Sequence, residues 1–547
     1  MSFVGSTLGL HAGRWLCLAS FVFVRTMLLS VLLVSAAHGA KTDLFSQYDI
    51  VLPFNVTHPV MAANLLPGNG KELLILGVTE SGQRAMAIYQ FDQGKDRMQL
   101  MDAMPLANDL FAVDLGDVDQ NGLQHVYFVA KDQIYRYQYK EAAQPYGGPV
   151  LIASDAGPAV ATQQLLNASS SALQPFVNVQ TMYLSTSAAA LTDIDFAKDI
   201  NHDKQDDFVI AGFETVNVYL SGQAERRTTS LPIASLLSIK GQEVGFTPQQ
   251  LNYVDLNQDN KTDIVLVESG RLLVYAQDES GNFNATPHII EIAQGIEGID
   301  WWDKVEADGQ SLDQSQLFYQ RLETISDING DTLPDLVVRV TKSAGVLDRK
   351  NDYTFYFARL MDDKLHYAVQ PDTVIQSDST LSEFSLLDLN NDGKQEVMLS
   401  AFDLGLSQII SALLSSSIEQ QVVLYQMDEQ QRYGEKPATS QDVEITFSLS
   451  SGRSGEPMVK GQDVNGDGLK DLIFSEGEEQ IKVLFAQANA KRMFVKRAEK
   501  FKVQVPKNAK YISHHDINAD GKMDLLLHYS RADEAKLLNK IVVLVAN

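Results

Sequence analysis

Apolar residues along this chain come in short runs rather than in helical stripes. LLILG (73–77), VYFVA (126–130), FVIAG (208–212), IVLVE (264–268), LVVRV (336–340), VMLS (397–400), LIFSE (472–476) and LLLHY (525–529) each follow a polar turn. Most are succeeded, after a few polar residues, by a second run such as MAIYQF, TVNVYL, RLLVYAQ, IKVLFAQ or IVVLVAN. Runs this short, rich in Val, Ile, Leu, Phe and Tyr and bounded by turns, predict β-strands, since a helix would need apolar positions three and four apart over a longer stretch. Beyond the N-terminal segment no long amphipathic helix is expected.

The turn before the first run is itself repeated. It is a nine-residue loop, Asp-x-Asn-x-Asp-x-x-x-Asp/Glu, present in six good copies. These are Asp199, Asn201, Asp203 and Asp207; Asp255, Asn257, Asp259 and Asp263; and Asp327, Asn329, Asp331 and Asp335. Then come Asp388, Asn390, Asp392 and Glu396; Asp463, Asn465, Asp467 and Asp471; and Asp516, Asn518, Asp520 and Asp524. A weaker copy holds Asp117, Asp119, Asn121 and His125, and a relic without the early acids runs from Asn64 to Glu72.

Repeat starts lie roughly 60 residues apart, enough for one unit of four strands. A four-stranded unit cannot bury its own apolar face, so units must stack, and stacking in a ring leaves no exposed ends. The expected fold is therefore all-β, a single propeller with eight blades favoured and seven the alternative. The chain finishes on the strand-like IVVLVAN and has YDIVLPF ahead of the first loop relic. Pairing that early strand into the last blade would close the ring.

The loop chemistry points to calcium. A hard dication takes six to eight oxygens, which side chains at positions 1, 3 and 5, a carbonyl at 7 and a carboxylate at 9 can supply. Oxygen-only ligation disfavours zinc and copper. Position 12, where a helix-flanked calcium loop carries its closing Glu, is Ile210, Leu266, Val338, Leu399, Phe474 or Leu527, so the set must close at 9. Position 6 is expected to need a left-handed backbone. Gly393, Gly468 and Gly521 suit it, Asn260 is tolerable, and Lys204 and Thr332 are poor, which ranks the loops at Asp388, Asp463 and Asp516 above those at Asp199 and Asp327. His125 closes the Asp117 loop with a nitrogen, which suits calcium poorly.

DLNQDNKTDIVLV, DINGDTLPDLVVR, DLNNDGKQEVMLS, DVNGDGLKDLIFS and DINADGKMDLLLH resemble the FG-GAP/VCBS repeats, with DLGDVDQNGLQHVYFV a more distant copy. Integrin α-chain heads and many exported bacterial proteins carry such repeats. The resemblance implies structural calcium in a loop between two strands of a blade, held here by the four side-chain positions of the six good copies. The Phe-Gly and Gly-Ala-Pro signature of the integrin type is poorly kept, so integrin ligand binding is not carried over.

Charge and the ends complete the picture. The formal net charge is -26, and a surface this acidic repels nucleic acid. The most basic stretch, residues 491–510, alternates apolar and basic residues and reads as a strand with one wet face. Residues 15–37 are free of charge apart from Arg25 and mostly apolar, and small residues follow near Ala37 to Ala40. Residues 1–40 thus read as a signal peptide or an uncleaved N-terminal anchor, giving an exported protein, whether periplasmic, secreted or at the cell surface. Any membrane contact would run through residues 15–37. The only cysteine, Cys17, lies there, so a chain from which this segment is cleaved would have neither disulfide nor thiol chemistry.

No nucleophile elbow, P-loop, zinc-protease motif or dinucleotide fingerprint occurs. His514 and His515 precede Asp516 and read as strand residues. Trp301 and Trp302, beside Asp303, could stack on sugar rings or anchor a protein. A low-charge insertion at about 142–190 carries one charged residue, Asp155, and reads as an excursion from a blade. With residues 41–547 as one propeller, the expected function is a non-enzymatic, calcium-binding scaffold for an unidentified protein or glycan. The alternative is a polysaccharide lyase or hydrolase built on the same propeller.

Overall fold

The second strand of each repeat is buried on both faces, which is why its sequence is a continuous apolar run instead of an alternation. In Glu72–Val78, Leu73 and Ile75 pack into one core and Leu74 and Leu76 into another, on the opposite side of the same sheet. The computed structural model describes residues 43–547 except 69, 140–171, 184–190, 223–226, 241–242, 305–311, 346–347, 363, 377–379, 403–416, 449–452, 455–457 and 489–491. The expected leader at residues 1–40 lies outside the described residues. The propeller is the second of two units, Phe45–Ala546; the first comprises Met1–Leu44 and Asn547.

Eight antiparallel sheets form an eight-bladed β-propeller. Blade 1 has Met61–Ala63, with Asn55–Val56 beside it, then Glu72–Val78, Arg84–Asp92 and Arg97–Leu106. Blade 2 has Ala112–Gly116, His125–Val129, Gln133–Gln138 and Ala172–Asn178. Blade 3 is Ala197–Lys198, Asp207–Ala211, Val216–Leu220 and Arg227–Leu231, and blade 4 is Asn252–Val254, Asp263–Glu268, Arg271–Tyr275 and His288–Glu291. Blade 5 uses Leu317–Ser326, Asp335–Gly345, Asp348–Tyr356 and Thr373–Ile375, with Ile296–Glu297 added in parallel to its first strand. Blade 6 has Thr380–Leu387, Glu396–Phe402, Ser417–Tyr425 and Thr439–Ser448; blade 7 has Val459–Gln462, Asp471–Ser475, Gln480–Leu484 and Glu499–Lys502.

Blade 8 is Ile512–His515, Asp524–His528 and Lys540–Ala546, completed by Phe45–Val51 from the other end of the chain. Phe45 pairs with Ala546 and Val51 with Lys540, so the expected closure is present and the seven-blade alternative is not realised. The seam is apolar: Ile50, Leu52 and Phe54 pack with Leu526, Ile541 and Val543 of blade 8 and with Leu73 and Ile75 of blade 1. The Asn539 side chain also donates to the Leu52 carbonyl at 3.0 Å.

Among the described residues the helical content is three short 3-10 turns. Of the low-charge segment at 142–190, Ala172–Asn178 is the outer strand of blade 2, while 142–171 and 184–190 lie outside the described residues.

Candidate metal loops

Each acidic loop joins the first strand of a blade to the second, with position 9 as the first residue of the second strand. The loops share one hydrogen-bonding scheme, seen in the Asp463 copy. Both carboxylate oxygens of Asp463 accept backbone N–H groups, Oδ1 from Asp467 at 3.3 Å and Oδ2 from Gly468 at 2.7 Å. Asn465 Oδ1 accepts from the N–H of Asp467 at 2.8 Å, and its amide donates to Asp467 Oδ2 at 3.0 Å. Asp467 Oδ1 accepts from the N–H of Leu469 at 2.9 Å. The loops at Asp199, Asp255, Asp327, Asp388 and Asp516 repeat the bonds from position 6 to position 1 and from position 3 to position 5.

Position 9 is buried. Asp207, Asp263, Asp335, Asp471 and Asp524 are 0% exposed and Glu396 is 1% exposed. Their carboxylates bridge the loop to the rest of the blade: Asp524 accepts from Ile517 N–H at 2.9 Å and from Ala546 N–H in the third strand at 2.9 Å. Asp335 does the same with Ile328 and Ala358, and Asp471 with Val464 and Ala486. Desolvation, reinforced by the carboxylates at positions 5 and 1, pushes Asp207, Asp335, Glu396 and Asp524 up to about 7. Asp263 and Asp471 are pushed to about 6 in the same way.

This donor set fits a hard cation in kind. It is made of oxygens, and its buried carboxylate is opposed by two like charges that a dication would neutralise. Among the described residues, no group of three or more His, Cys, Asp or Glu side chains is assembled as a metal cluster. The side-chain oxygens at positions 1, 3 and 5 are instead engaged by the loop's own N–H groups.

The backbone demands two left-handed residues per loop, one more than position 6 alone. Position 6 has φ of 69° at Lys204, 63° at Asn260, 71° at Thr332, 82° at Gly393, 87° at Gly468 and 86° at Gly521. Position 4 has φ of 58° at His202, 61° at Gln258, 80° at Gly330, 57° at Asn391, 75° at Gly466 and 58° at Ala519. The loop at Asp463 has glycine at both places and the loop at Asp199 at neither, so backbone strain separates these two most widely.

The loops also join one another around the ring. The N–H of position 8 donates to a carbonyl at position 1 or 2 of the preceding blade's loop: Gln124 to Asn64 at 2.7 Å, Asp206 to Asp117 at 3.0 Å and Gln395 to Ile328 at 2.9 Å. Lys470 to Leu389 at 3.4 Å, Met523 to Asp463 at 2.8 Å and Lys71 to Ile517 at 2.9 Å continue the series, the last crossing from blade 8 to blade 1.

The two degenerate loops are filled from within the protein. Glu72 is fully buried and accepts from the N–H groups of Leu65 at 2.8 Å and Leu66 at 3.0 Å and from Gln90 Nε2 at 2.7 Å. In the other, Arg136 donates to Asp119 Oδ2 at 2.5 Å and also contacts His125 Nε2.

Other candidate residues take structural places. His514 and His515 lie in the first strand of blade 8; His514 Nε2 meets Gln462 Nε2 of blade 7 at 2.8 Å, and burial lowers both imidazoles, His515 to about 4. The ionisable groups gathered on blade 5, Asp300, Arg321, Glu323 and Arg339, form a closed ion-pair cluster. Glu323 meets Arg321 at 2.7 Å and Arg339 at 3.1 Å, and Asp300 Oδ1 meets both guanidinium groups. Above this cluster, Trp301 is 9% exposed and Trp302 is 51% exposed, their rings edge to face at 5.3 Å. Arg339 lies 5.7 Å from the Trp302 ring.

No family model matches the chain, and no curated protein matches it. Among solved structures, a lectin from Agrocybe aegerita described as recognising non-reducing terminal N-acetylglucosamine is 12% identical, with a TM-score of 0.37 over 87% of this chain and 98% of that one. The WD40 domain of SCAP from fission yeast is 10% identical, with a TM-score of 0.35 over 92% and 98%. A putative 6-phosphogluconolactonase from Bacteroides fragilis is 11% identical, with a TM-score of 0.31 over 85% and 97%. Likeness at this level carries no argument about what the chain binds.

Proposed function

We propose that the protein is an exported, calcium-stabilised propeller of the FG-GAP/VCBS type, working as a non-enzymatic scaffold for a protein or glycan. The observation that carries the calcium half is the buried closing carboxylate of six loops, each opposed by carboxylates at positions 1 and 5. Asp, Asn, Asp and Asp/Glu at positions 1, 3, 5 and 9 would hold the ion, which would supply charge neutralisation and cross-link each loop to its blade. Binding free energy would then act as folding free energy. A periplasmic, secreted or surface location suits an ion that is abundant outside the cell.

The scaffold half is supported by Trp302, whose ring is half exposed and braced by buried Trp301 and by the ion-pair cluster below it. A rigid exposed indole is a surface on which a sugar ring or an apolar side chain can stack.

The chain has three tryptophans, and Trp15 lies in the expected leader, so fluorescence of the chain from residue 41 reports Trp301 and Trp302 alone. Titration with ligands selected on a glycan array is expected to shift the emission in the wild type and not in Trp302→Ala. Array hits bound equally by both proteins would move the binding surface elsewhere. Catalytic turnover of any hit would overturn the non-enzymatic reading.

A further inference from the structure

The loop of blade 2 has the fold of a calcium loop but a different centre. Asp117 accepts from the N–H groups of Asn121 at 3.3 Å and Gly122 at 2.9 Å, and Asn121 Oδ1 accepts from Leu123 N–H at 2.8 Å. These are the bonds that positions 1 and 5 make in the six good copies. Gln120 and Gly122 are left-handed at φ 56° and 77°, as positions 4 and 6 are elsewhere. The backbone is thus closed in the same way although the closing carboxylate is His125.

Strand register identifies what has changed with it. The residue at position 11 of every repeat pairs across the sheet with a residue of the third strand. In seven blades that partner is apolar: Ile88, Val218, Val274, Phe355, Leu424, Val483 and Val543. In blade 2 Tyr127 pairs with Arg136. Side chains at positions 9 and 11 share a sheet face, so a cation at this register reaches the loop from below. Arg136 Nη2 donates to Asp119 Oδ2 at 2.5 Å and contacts His125 Nε2, and its guanidinium lies 5.4 Å from the Phe176 ring. Burial and the Arg136 charge lower His125, against the opposing pull of Asp119 and Asp117.

We propose that Arg136 is the built-in cation of blade 2. It supplies the positive charge that a metal would supply in the other loops, so the Asp117–His125 loop keeps its closed form in the absence of calcium. A guanidinium is permanently charged and its planar donor fork suits carboxylate oxygens, which a lone histidine could not match. Blade 1, whose Glu72 is satisfied by Leu65, Leu66 and Gln90, has no acids at the early loop positions to neutralise. Blades 1 and 2 therefore form a metal-independent arc beside the seam where the chain ends meet, and calcium governs the arc from blade 3 to blade 8. This inference rests on the calcium reading of the six good loops.

Hydrogen exchange on the whole exported chain, with calcium and with chelator, tests it. Amides of His125–Val129 are expected to keep their protection in chelator while those of the second strands of blades 3 to 8 lose it. Arg136→Gln is expected to raise exchange at His125–Val129 by at least about tenfold whether or not calcium is present. The double variant His125→Asp with Arg136→Val, which restores a closing carboxylate at position 9 and an apolar partner for position 11, is expected to bind one calcium more than the wild type by titration calorimetry. Loss of blade 2 protection in chelator, an unchanged Arg136→Gln, or no added ion in the double variant would each overturn the proposal. Should the wild type bind no calcium, the reading of the six loops falls, and Arg136→Gln alone still decides the role of the guanidinium.

Discussion

The backbone N–H of Met523 donates to the carbonyl of Asp463 at 2.8 Å, tying the loop of blade 8 to the first residue of the loop of blade 7. Neighbouring loops are therefore mechanically linked, and loosening one should be felt in the next. Asp463→Ala removes the carboxylate that organises the N–H groups of Asp467 and Gly468. We expect it to raise hydrogen exchange of the Met523 amide by on the order of tenfold. Exchange at Met523 that stays at the wild-type rate while the Asp463 loop opens would mean the loops act independently.

Metal removal should have a pH signature of its own. In the metal-stripped chain the six closing carboxylates titrate near 6 to 7 instead of near 4, because burial and like charges oppose ionisation. The folded state then holds protons that the unfolded state has released, so this contribution is greatest below about pH 4 and is lost as pH rises to about 7. Melting of the stripped protein should fall between pH 5 and pH 8. With calcium bound, the carboxylates are held ionised and acidification should instead destabilise. Stripped and loaded samples that melt with the same pH slope would contradict this.

Thr332 sits at φ 71°, a conformation that a β-branched residue adopts at a cost. Thr332→Gly is expected to stabilise the protein by about 0.5–1 kcal/mol, after allowing for the greater chain entropy of glycine. Gly393→Ala is the converse control. Its φ is 82° and a Cβ there would meet nothing within 4 Å, so any loss is conformational. Urea midpoints that move together in the two variants would refute the strain account.

The seam can be tested on adjacent residues of one strand. Ile50 is 3% exposed and pairs with Ile541, whereas Val51 is 58% exposed. Ile50→Ala is expected to cost about 2–5 kcal/mol and Val51→Ala less than about 0.5. Equal losses from the two changes would mean that strand pairing, and not the apolar seam, closes the ring.

The repeat was legible because it is built from covalent spacing. Position 9 begins a strand, so its burial follows from the apolar run behind it, and the blade count follows from the number of loops. The closure was legible for a similar reason, since YDIVLPF is a strand with no partner nearby in sequence and IVVLVAN is the third strand of a blade that lacks a fourth. Position 4 was not legible: Gln258, His202 and Ala519 carry no mark of a left-handed backbone, and the loop closes around them regardless. Arg136 was hidden because its meaning depends on register with Tyr127 across the sheet, which composition does not disclose. The segment around Trp301 was readable as aromatic, but only packing separates the buried ring from the exposed one.

Position 8 of blade 5 is Pro334, which has no N–H to give, though its carbonyl accepts from the Tyr367 hydroxyl at 2.7 Å. The bond that Met523 makes to the preceding loop is therefore chemically impossible between blades 4 and 5. Among the described residues, six of the eight junctions carry the bond, Thr262 of blade 4 does not make it, and Pro334 cannot. Thermal breathing of the ring should begin at these two adjacent junctions, far round the circle from the seam where Phe45–Val51 joins the last blade.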